Sequence, residues 1–469
     1  MRERGAIIKE RQRHLHTGLI FPGTYELAMS SLAYQHLYYV LNNMDRILCD
    51  RFVPDREKSL EHKITTQEIR AAFITAPFIL STNTLINYCR TSLTPFSSVI
   101  CIGGAAAAAN PCLFRDCEAL IFPGPIEEHI SHFGMIFRMI RSGYSRRHII
   151  SEIQPLLNAV SSGFNQRGRM EYEPPHSVIY TDQTEFANMH LVEISRGCPG
   201  NCSFCMSKHL YRFYREFEYD GIIRAIDKAP QNIRTIGLIG DAVLSHSRIG
   251  DIVDYIVGRK KRPSFSSIRI ADLTEEKIPL ILKSEIKTLT IAPEVASEKL
   301  MKVTNKYYNR KRLFDTLKEL IRNGIMNLKL YMMIGLPSET EEDIDEMINF
   351  IRETRDILIH TSKDKGRLGM LRVSVNNFVP SPFTPLFSQN PDEIESLEHK
   401  QLAIRKKVGG LSNLSLSFMD IFDTLYETAL FRADYEFSKR ILYIQDTPAK
   451  KVFEADKHFR ENILRLCYR

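Results

Sequence analysis

The chain has 469 residues, of which 43% are hydrophobic and 25% charged, and its formal net charge is +7. This length predicts two or three domains, and the composition is that of a folded globular protein rather than a disordered one. No apolar run of about 18 residues occurs, which argues against a membrane span, and the modest charge argues against a nucleic acid as the partner.

The first segment, residues 1–145, alternates short apolar runs with helical patterns. The stretch at residues 30–44 has the apolar spacing of a helix, and five apolar runs predict buried strands. The runs lie at residues 16–23, 45–53, 71–80, 97–104 and 117–124. Near-continuous apolar strands that alternate with helices predict a parallel sheet covered on both faces, and therefore a Rossmann-like domain.

Residues 146–185 predict a connector that is first helical and then irregular, and strand–helix alternation resumes over residues 186–390. Six segments there predict strands, namely HLVEIS (190–195), RTIGLIG (234–240), FSSIRIADL (265–273), IKTLTIAPE (286–294), LKLYMMIGLP (328–337) and GMLRVSVNNFVP (369–380). Six such units fit a partial (β/α)6 barrel, whose functional residues lie at the carboxyl ends of the strands. Residues 391–469 predict a helical C-terminal region.

Three cysteines, Cys198, Cys202 and Cys205, directly follow the first predicted barrel strand in the segment GCPGNCSFC. Their C-x3-C-x2-C spacing puts three thiolates on one short loop, and thiolate is the preferred ligand of iron–sulfur clusters. Gly197 and Gly200 allow the backbone to fold round a metal. The fourth iron of such a cluster would lack a protein ligand and stay open to a small molecule.

Other uses of the cysteines remain open at this point. A zinc site would need four closed ligands, with His209 as the candidate fourth, and would make the chain a zinc-binding nucleic-acid protein. Cys112 and Cys117 form a C-x4-C pair that is more typical of packed thiols. Nine cysteines without a signal-peptide pattern predict a reducing compartment, and we expect the cytoplasm.

The motif GCPGNCSFC is the signature of the radical S-adenosylmethionine (SAM) superfamily, and the chain resembles that superfamily well beyond the motif. The resemblance implies a 4Fe–4S cluster on the three cysteines and SAM bound at the fourth iron. It also implies reductive cleavage of SAM to a 5′-deoxyadenosyl radical, with an electron donor such as flavodoxin or ferredoxin. The SAM contacts that it implies are Phe204, Gly240, Asp241, Glu294, Ser297, Ile334 and Gly335.

Four segments, SRGCPGNCSFC, IAPEVASEKLMKVTNK, KLYMMIGLPSETEED and FVPSPFTPL, resemble the branch that carries an N-terminal cobalamin-binding domain. That branch includes radical methyltransferases similar to the glutamine C-methyltransferase of methyl-coenzyme M reductase. In corrinoid carriers a histidine of an Asp-x-His-x-x-Gly loop binds cobalt, whereas PGTYELAMSSLA in the matching place has no histidine. The resemblance implies cobalamin contacts at Tyr25, Leu27, Ser81, Thr82, Gly103, Gly104 and Asn110.

The resemblance therefore implies a methyltransferase that uses methylcobalamin to methylate an unactivated sp3 carbon. We expect a peptide or protein substrate in preference to a small molecule. One alternative is another radical reaction, such as methylthiolation, cyclisation or rearrangement, beside a degenerate cobalamin domain. Methylthiotransferases carry a second set of three cysteines and usually a nucleic-acid-binding tail, and neither is evident in the sequence. A non-catalytic corrinoid-binding protein is the other alternative.

Overall fold

The front part of the chain forms one five-stranded parallel sheet. A computed structural model describes residues 3–93, 98–163, 170–211, 213–363, 366–441 and 449–468. The strands of this front sheet are β1 (Leu15–Ile20), β2 (Ile47–Phe52), β3 (Ala71–Thr75), β4 (Val99–Gly103) and β5 (Ala119–Phe122). Their order is β2-β1-β3-β4-β5, a doubly wound arrangement that reverses direction between β1 and β3. The predicted Rossmann-like sheet is confirmed.

Helices cover both faces of the front sheet. They are α1 (Tyr25–Ser30), α2 (Leu32–Asn43), α3 (Thr82–Tyr88), α4 (Ala105–Ala109), α5 (Ile130–Arg141) and α6 (Arg146–Gly163). Helices α1, α2, α5 and α6 bury their apolar residues against one face, in a core that includes Phe73 and Phe133. Strands buried on both faces explain why their sequences are nearly continuous apolar runs.

The middle of the chain forms the predicted partial barrel. Its strands are β6 (Met189–Glu193), the two-residue strands β7 (Ser195–Arg196) and β8 (Arg215–Glu216), β9 (Thr235–Ile239), β10 (Arg262–Phe265), β11 (Thr288–Glu294), β12 (Asn327–Ile334), β13 (Met370–Asn377) and β14 (Leu414–Phe418). Parallel sheets β10-β9-β6 and β11-β12-β13-β14 are joined by a bridge between Ile268 and Ile291. The antiparallel pair of β7 and β8 brackets the cysteine loop.

Two barrel strands differ from the sequence expectation. The third strand ends at Phe265, whereas the expected segment 265–273 consists largely of turns that send Ile268 and Ile270 into the core. Strand β14 adds a seventh parallel strand within the region that was expected to be helical. The apolar side chains of the third segment are buried as expected, but its backbone stops pairing with the neighbouring strand after Phe265.

The remaining helices lie outside the barrel strands. They are α7 (Ser207–Leu210), α8 (Tyr219–Asp227), α9 (Ile249–Gly258), α10 (Ile278–Lys283), α11 (Glu298–Thr304), α12 (Arg310–Arg322), α13 (Glu341–Lys363), α14 (Ile394–Val408), α15 (Ile421–Arg432), α16 (Tyr435–Ile441), α17 (Ala449–Ala455) and α18 (Lys457–Cys467). Among the helices of the described ranges, none has both the length and the apolar character needed to cross a bilayer.

The C-terminal helices join the barrel to the front sheet. Leu425 and Leu430 of α15 and Ile463 of α18 share one buried core with residues of β3 and β4. Asn110 donates hydrogen bonds to the carbonyl oxygens of Leu430 (2.8 Å) and Ala433 (2.9 Å). The helical C-terminal region is therefore the second cover of the front sheet, and it fixes the sheet relative to the barrel.

Candidate active site

The cysteine loop is held at the carboxyl end of the barrel by backbone contacts. The Ser203 amide donates to the Thr304 carbonyl oxygen at 2.8 Å, and the Leu386 amide donates to the Ser203 carbonyl oxygen at 3.2 Å. The Asn305 side chain donates to the Asn201 carbonyl oxygen at 2.8 Å. These contacts tie the loop to the end of α11 and to the chain beyond β13, so its shape is set by the barrel.

Three free thiols share this loop. Cys198, Cys202 and Cys205 are each partly buried, and Cys205 lies near enough to raise the pKa of both other thiols. Burial is the larger cause of these raised pKa values, whereas Arg269 acts to lower the pKa of Cys198. No group of three or more histidine, cysteine, aspartate or glutamate side chains within the described ranges is placed to hold a metal ion.

The donor set of the loop fits an iron–sulfur cluster, because a 4Fe–4S cluster takes one thiolate on each ligated iron. Gly197 has a φ of 72°, and a Cβ there would lie 2.7 Å from the Phe213 carbonyl oxygen. Only glycine therefore suits the first turn of the loop. His209, the candidate fourth zinc ligand, lies on α7, and burial lowers its pKa.

An apolar floor lies beside the cysteine loop. Phe204 packs against a small buried core at the carboxyl ends of β11, β12 and β13. The core residues are Val295, Leu300, Met301, Met333, Leu336 and Phe378. Lys306 lies 5.9 Å from the centre of the Phe204 ring, and its ammonium pairs with the Glu294 carboxylate at 3.0 Å. Phe204 and Glu294, predicted separately from sequence, are thus brought to one place.

Gly240 and Asp241 follow β9, next to the start of the cysteine loop. Part of the Asp241 side chain is exposed, but protein atoms surround the rest of it. The resulting desolvation raises the pKa of Asp241, and the charge of Glu193 adds to the shift. The Gly197 backbone amide donates a hydrogen bond to Asp241 and opposes that shift. The Ser266 hydroxyl donates to the Gly240 carbonyl oxygen at 3.2 Å. Asp241 lies near enough to Cys198 for its charge to raise the pKa of that thiol, and the contact of this segment with SAM stays a prediction.

Ser297, Ile334 and Gly335 make mostly structural contacts. The Ser297 hydroxyl donates to Asp343 at 2.7 Å and accepts from the Leu300 amide at 3.2 Å, which caps α11. The buried Ile334 ends β12, and the Gly335 amide donates to Glu339 at 2.7 Å. Their assignment to SAM remains a prediction.

A cavity of about 430 Å³ separates the front sheet from the barrel. We call it the central cavity. Its front wall consists of the carboxyl ends of β3, β4 and β5 with the start of α2, and its barrel wall consists of residues near the cysteine loop. Lining residues of the front wall include Leu32, His36, Ala76, Gly103, Gly104 and Phe122, and those of the barrel wall are Glu193, Arg196, Tyr211 and Ile239. The cavity lies at the carboxyl ends of parallel strands, which is the usual edge for ligands in such sheets.

Of the residues predicted to contact cobalamin, Gly103 and Gly104 line the central cavity. The buried Tyr25 donates to Glu3 at 2.5 Å, and Leu27 on the same helix is exposed. Burial raises the pKa of Tyr25 to about 12, with Glu3 adding to the shift.

The other front predictions lie beside the cavity rather than on its wall. Ser81 and Thr82 donate to carbonyl oxygens of their own turn, from Phe78 and Ile79. The Asn110 side-chain amide donates hydrogen bonds to carbonyl oxygens at the end of α15. These residues remain predictions as cofactor contacts.

Sequence reasoning missed most of the cavity lining. None of His36, Glu193, Arg196 and Tyr211 was predicted to line a site. The Glu-x-x-Arg spacing just before the cysteine motif, EISRGC, was the signal that could have found Glu193 and Arg196. No local pattern marks His36, because only the fold brings helix α2 to the barrel.

A second, more open cavity of about 860 Å³ shares Gly124, Pro125 and Tyr211 with the first. We call it the lateral cavity. Arg115, His209, Arg215 and Phe383 are among its lining residues. It therefore extends from the front sheet to α7, directly after the cysteine loop.

Comparison with known proteins identifies the class of the barrel. Residues 192–351 match the family model described as the Radical SAM superfamily, so this part of the chain is a radical SAM domain. An uncharacterized protein of Methanocaldococcus jannaschii is 27% identical over 56% of this chain and 56% of its own length. The ribosomal protein uS12 methylthiotransferase RimO of Clostridioides difficile is 24% identical over 36% of this chain and 40% of its own length. The chain spans about half the length of these curated relatives.

Similarity to a solved structure extends over nearly the whole chain. This structure is that of the radical S-adenosylmethionine methyltransferase TsrM of Kitasatospora setae, solved with cobalamin and a 4Fe–4S cluster bound. The TM-score is 0.56 at 12% identity, with 94% of this chain and 100% of that chain covered. At this identity the similarity establishes a shared fold, which extends from the front sheet through the barrel to the C-terminal helices.

Proposed function

We propose that the chain is a cobalamin-dependent radical SAM methyltransferase that methylates an unactivated sp3 carbon. The observation that carries the proposal is the central cavity, which lies between the carboxyl end of the front sheet and the barrel wall beside the cysteine loop. A methyl donor in that cavity would face a radical formed at the loop. The fold that this chain shares with TsrM, a methyltransferase solved with cobalamin and an iron–sulfur cluster, supports the same arrangement.

The chain's own residues would hold and shield the cofactors. When bound, a 4Fe–4S cluster supplies the electron that breaks the SAM sulfonium, and cobalamin supplies the methyl group. Cys198, Cys202 and Cys205 would ligate the cluster, and the Phe204 floor would exclude water from the cleavage site. Asp241, which accepts a hydrogen bond from the Gly197 amide, would also accept one from the ammonium group of SAM. On the front wall, Gly104 lets the chain approach the Ala76 backbone closely, which shapes the surface that a flat ligand would meet.

The proposed substrate is a peptide or protein segment. The lateral cavity has a volume of about 860 Å³, is open to solvent and shares Tyr211 with the central cavity. An extended chain could therefore reach the space between the two cofactors from that side. Arg115 lines this cavity and favours a segment that carries negative charge, whereas the charge of Arg215 is paired with Glu128 at 3.5 Å. A small-molecule substrate is the competing outcome.

Methylthiolation is the second candidate function, because the methylthiotransferase RimO is among the curated relatives. The two functions differ in their need for a corrinoid. A methylthiotransferase of this kind would cleave SAM without binding cobalamin, whereas the proposed methyltransferase would bind one corrinoid in the central cavity. Corrinoid uptake therefore separates the two.

The test uses anaerobically reconstituted protein. We expect about four irons per chain, and release of 5′-deoxyadenosine when dithionite and SAM are added. Cys202→Ala should abolish the release, whereas Cys112→Ala, which removes an exposed free thiol elsewhere, should leave it unchanged. Cleavage that survives in Cys202→Ala would remove the cluster assignment. A wild-type protein that cleaves SAM but takes up no cobalamin would remove the methyltransferase assignment and favour the second candidate.

A further inference from the structure

The barrel wall of the central cavity contains an arginine with every N–H group engaged. Arg196 donates from Nε and Nη2 to the two carboxylate oxygens of Glu193, both at 2.8 Å. It also donates from Nη1 and Nη2 to the two oxygens of Glu127, at 2.8 and 2.9 Å. The fifth N–H reaches the Tyr172 hydroxyl at 3.3 Å. The guanidinium lies over the rings of Phe217 (5.4 Å) and Tyr172 (5.7 Å).

This group of side chains joins two parts of the molecule. Glu193 and Arg196 belong to the barrel, at β6 and β7, whereas Glu127 lies in the turn that follows β5 of the front sheet. The side chains of Arg196 and Glu127 are only 9% and 5% exposed, so the pair is shielded from solvent and salt. Two carboxylates and one guanidinium leave one negative charge. The Nε2 atom of His36 on α2 lies 2.9 Å from a carboxylate oxygen of Glu127, so the group also contacts this helix of the front sheet.

The turn that Glu127 anchors is part of the cavity wall. Gly124, Pro125 and Ile126, which directly precede Glu127, line the central cavity, and Gly124 and Pro125 also line the lateral cavity. On the other side of the pair, Glu193 and Arg196 themselves line the central cavity. A shift of the Glu127 turn would therefore open the wall between the two cavities.

We propose that Arg196 is a positioning residue that holds the 124–127 turn of the front sheet against the first barrel strand, a contact that we call the clamp. The clamp closes the wall of the central cavity, where the corrinoid would bind. The ligand named here rests on the proposed function, whereas the clamp rests on the contacts alone. Lysine cannot replace the arginine, because an ammonium has three N–H groups and lacks the planar fork that serves two carboxylates at once.

The test compares the same substitution at two buried glutamates. Glu127→Gln weakens the pair across the cavity wall, whereas Glu61→Gln weakens a pair with Arg51 that lies entirely within the front part of the chain. Arg51 and Glu61 have side chains 1% and 0% exposed, so both variants disturb an equally buried arginine–glutamate pair. Glu127 is also remote in sequence from the cysteine loop, so cluster assembly provides an internal check on folding.

Two measurements are made on each anaerobically prepared full-length variant: the dissociation constant for hydroxocobalamin by absorption titration, and amide hydrogen exchange of residues 124–129 and 189–196. For Glu127→Gln and Arg196→Lys we expect binding weaker by about tenfold or more and faster exchange in both segments. For Glu61→Gln we expect both quantities to stay within about twofold of the wild type. The iron content of Glu127→Gln should equal that of the wild type.

The proposal is overturned if Glu127→Gln and Arg196→Lys bind and exchange like the wild type, or if Glu61→Gln is affected equally. A wild-type protein that takes up no hydroxocobalamin would end the corrinoid assignment, and the exchange data would then decide on the clamp. Faster exchange confined to the two segments in Glu127→Gln would support the clamp, and unchanged exchange would refute it.

Discussion

The two walls of the central cavity are built in different ways. The barrel wall presents charged and polar side chains, such as Glu193, Arg196 and Tyr211, from a short stretch of chain around the cysteine motif. The front wall presents backbone and small or apolar residues, such as Ala76, Gly104 and Phe122, from the ends of three separate strands. One wall supplies reactive and hydrogen-bonding groups, and the other supplies shape. Variants of the two walls should therefore fail in different ways.

The largest effect is expected at the front wall. Gly104 has a φ of 118°, and a Cβ there would lie 2.6 Å from the Ala76 carbonyl oxygen, which already accepts the Ala106 amide. Gly104→Ala should cost about 3–5 kcal/mol, because it combines backbone strain with a clash against backbone. Thermal unfolding should show the loss, and cobalamin uptake should fall while SAM cleavage by the surviving folded protein persists.

Gly143→Ala is the matched control for that substitution. Gly143 has a φ of 79°, but nothing lies within 4 Å of the added Cβ, so only the strain of about 1 kcal/mol remains. Equal losses at Gly104 and Gly143 would contradict the role of Gly104 in shaping the wall.

The second prediction concerns the barrel core behind the functional wall. The fully buried His190 at the start of β6 has Nδ1 2.7 Å from the Tyr180 hydroxyl and Nε2 2.9 Å from the Ala225 carbonyl oxygen. Burial lowers the pKa of His190 to about 4, below its ordinary value of 6.5. The unfolded chain therefore binds more protons between these values, and stability falls as pH drops from about 6.5 to about 4, by up to roughly 3 kcal/mol.

Urea unfolding at several pH values measures this effect. His190→Gln should flatten the pH dependence in that window, whereas His399→Gln, at an exposed position on α14, should not change it. A wild-type protein equally stable at both ends of the window would show that the ring accepts a proton without cost.

The third prediction concerns an ion pair beside the cysteine loop, whose loss should affect SAM cleavage but not cobalamin binding. The Glu294–Lys306 ion pair lies beside Cys202 and the Phe204 ring, and both charges influence the Cys202 thiol. Glu294→Gln should release Lys306 and lower the rate of SAM cleavage about tenfold, equivalent to about 1.4 kcal/mol, through a higher KM for SAM. Cobalamin affinity should not change. Glu298→Gln, at an exposed position on α11, is the control and should cleave SAM at the normal rate.

Sequence patterns predicted the surroundings of the cysteine loop better than the walls of the central cavity. The cysteine loop, Phe204, Asp241 and Glu294 could be placed because each belongs to a segment next to a strand end, and parallel strands bring their carboxyl ends together. The front wall could be placed only in outline. Gly103 and Gly104 line the central cavity, whereas Tyr25 and Asn110 contact Glu3 and the end of α15, and their contact with a cofactor stays a prediction.

The remaining differences have a common physical origin in long-range packing. Strand β14 has the alternating pattern LSLSF, but five residues between helical segments gave too short a signal to outweigh its surroundings. Nothing local indicates that α15 and α18 cover the front sheet, because their apolar faces suit any partner. A cavity is likewise a property of several segments at once, and no single segment encodes it.

The smallest expected effect lies outside both walls, at the start of α13. Asp343 accepts from the Thr340 amide at 2.8 Å and from the Ser297 hydroxyl at 2.7 Å, and it pairs with Lys299. Burial alone would raise the pKa of Asp343, but these contacts outweigh it and lower the pKa. The stabilisation is therefore present above the pKa of the unfolded chain and is lost as pH falls through the lower folded pKa.

Asp343→Asn should cost about 1 kcal/mol near neutral pH, as is usual for a weakened helix N-terminus, and less at acidic pH, where the wild-type carboxylate is protonated as well. Urea unfolding of wild type and variant at both pH values measures the difference. SAM cleavage and cobalamin uptake should both be normal, since Asp343 stabilises the helix without lining the central cavity. A selective loss of SAM cleavage would instead mean that the Ser297–Asp343 contact shapes the SAM site, and would extend the functional barrel wall as far as α13.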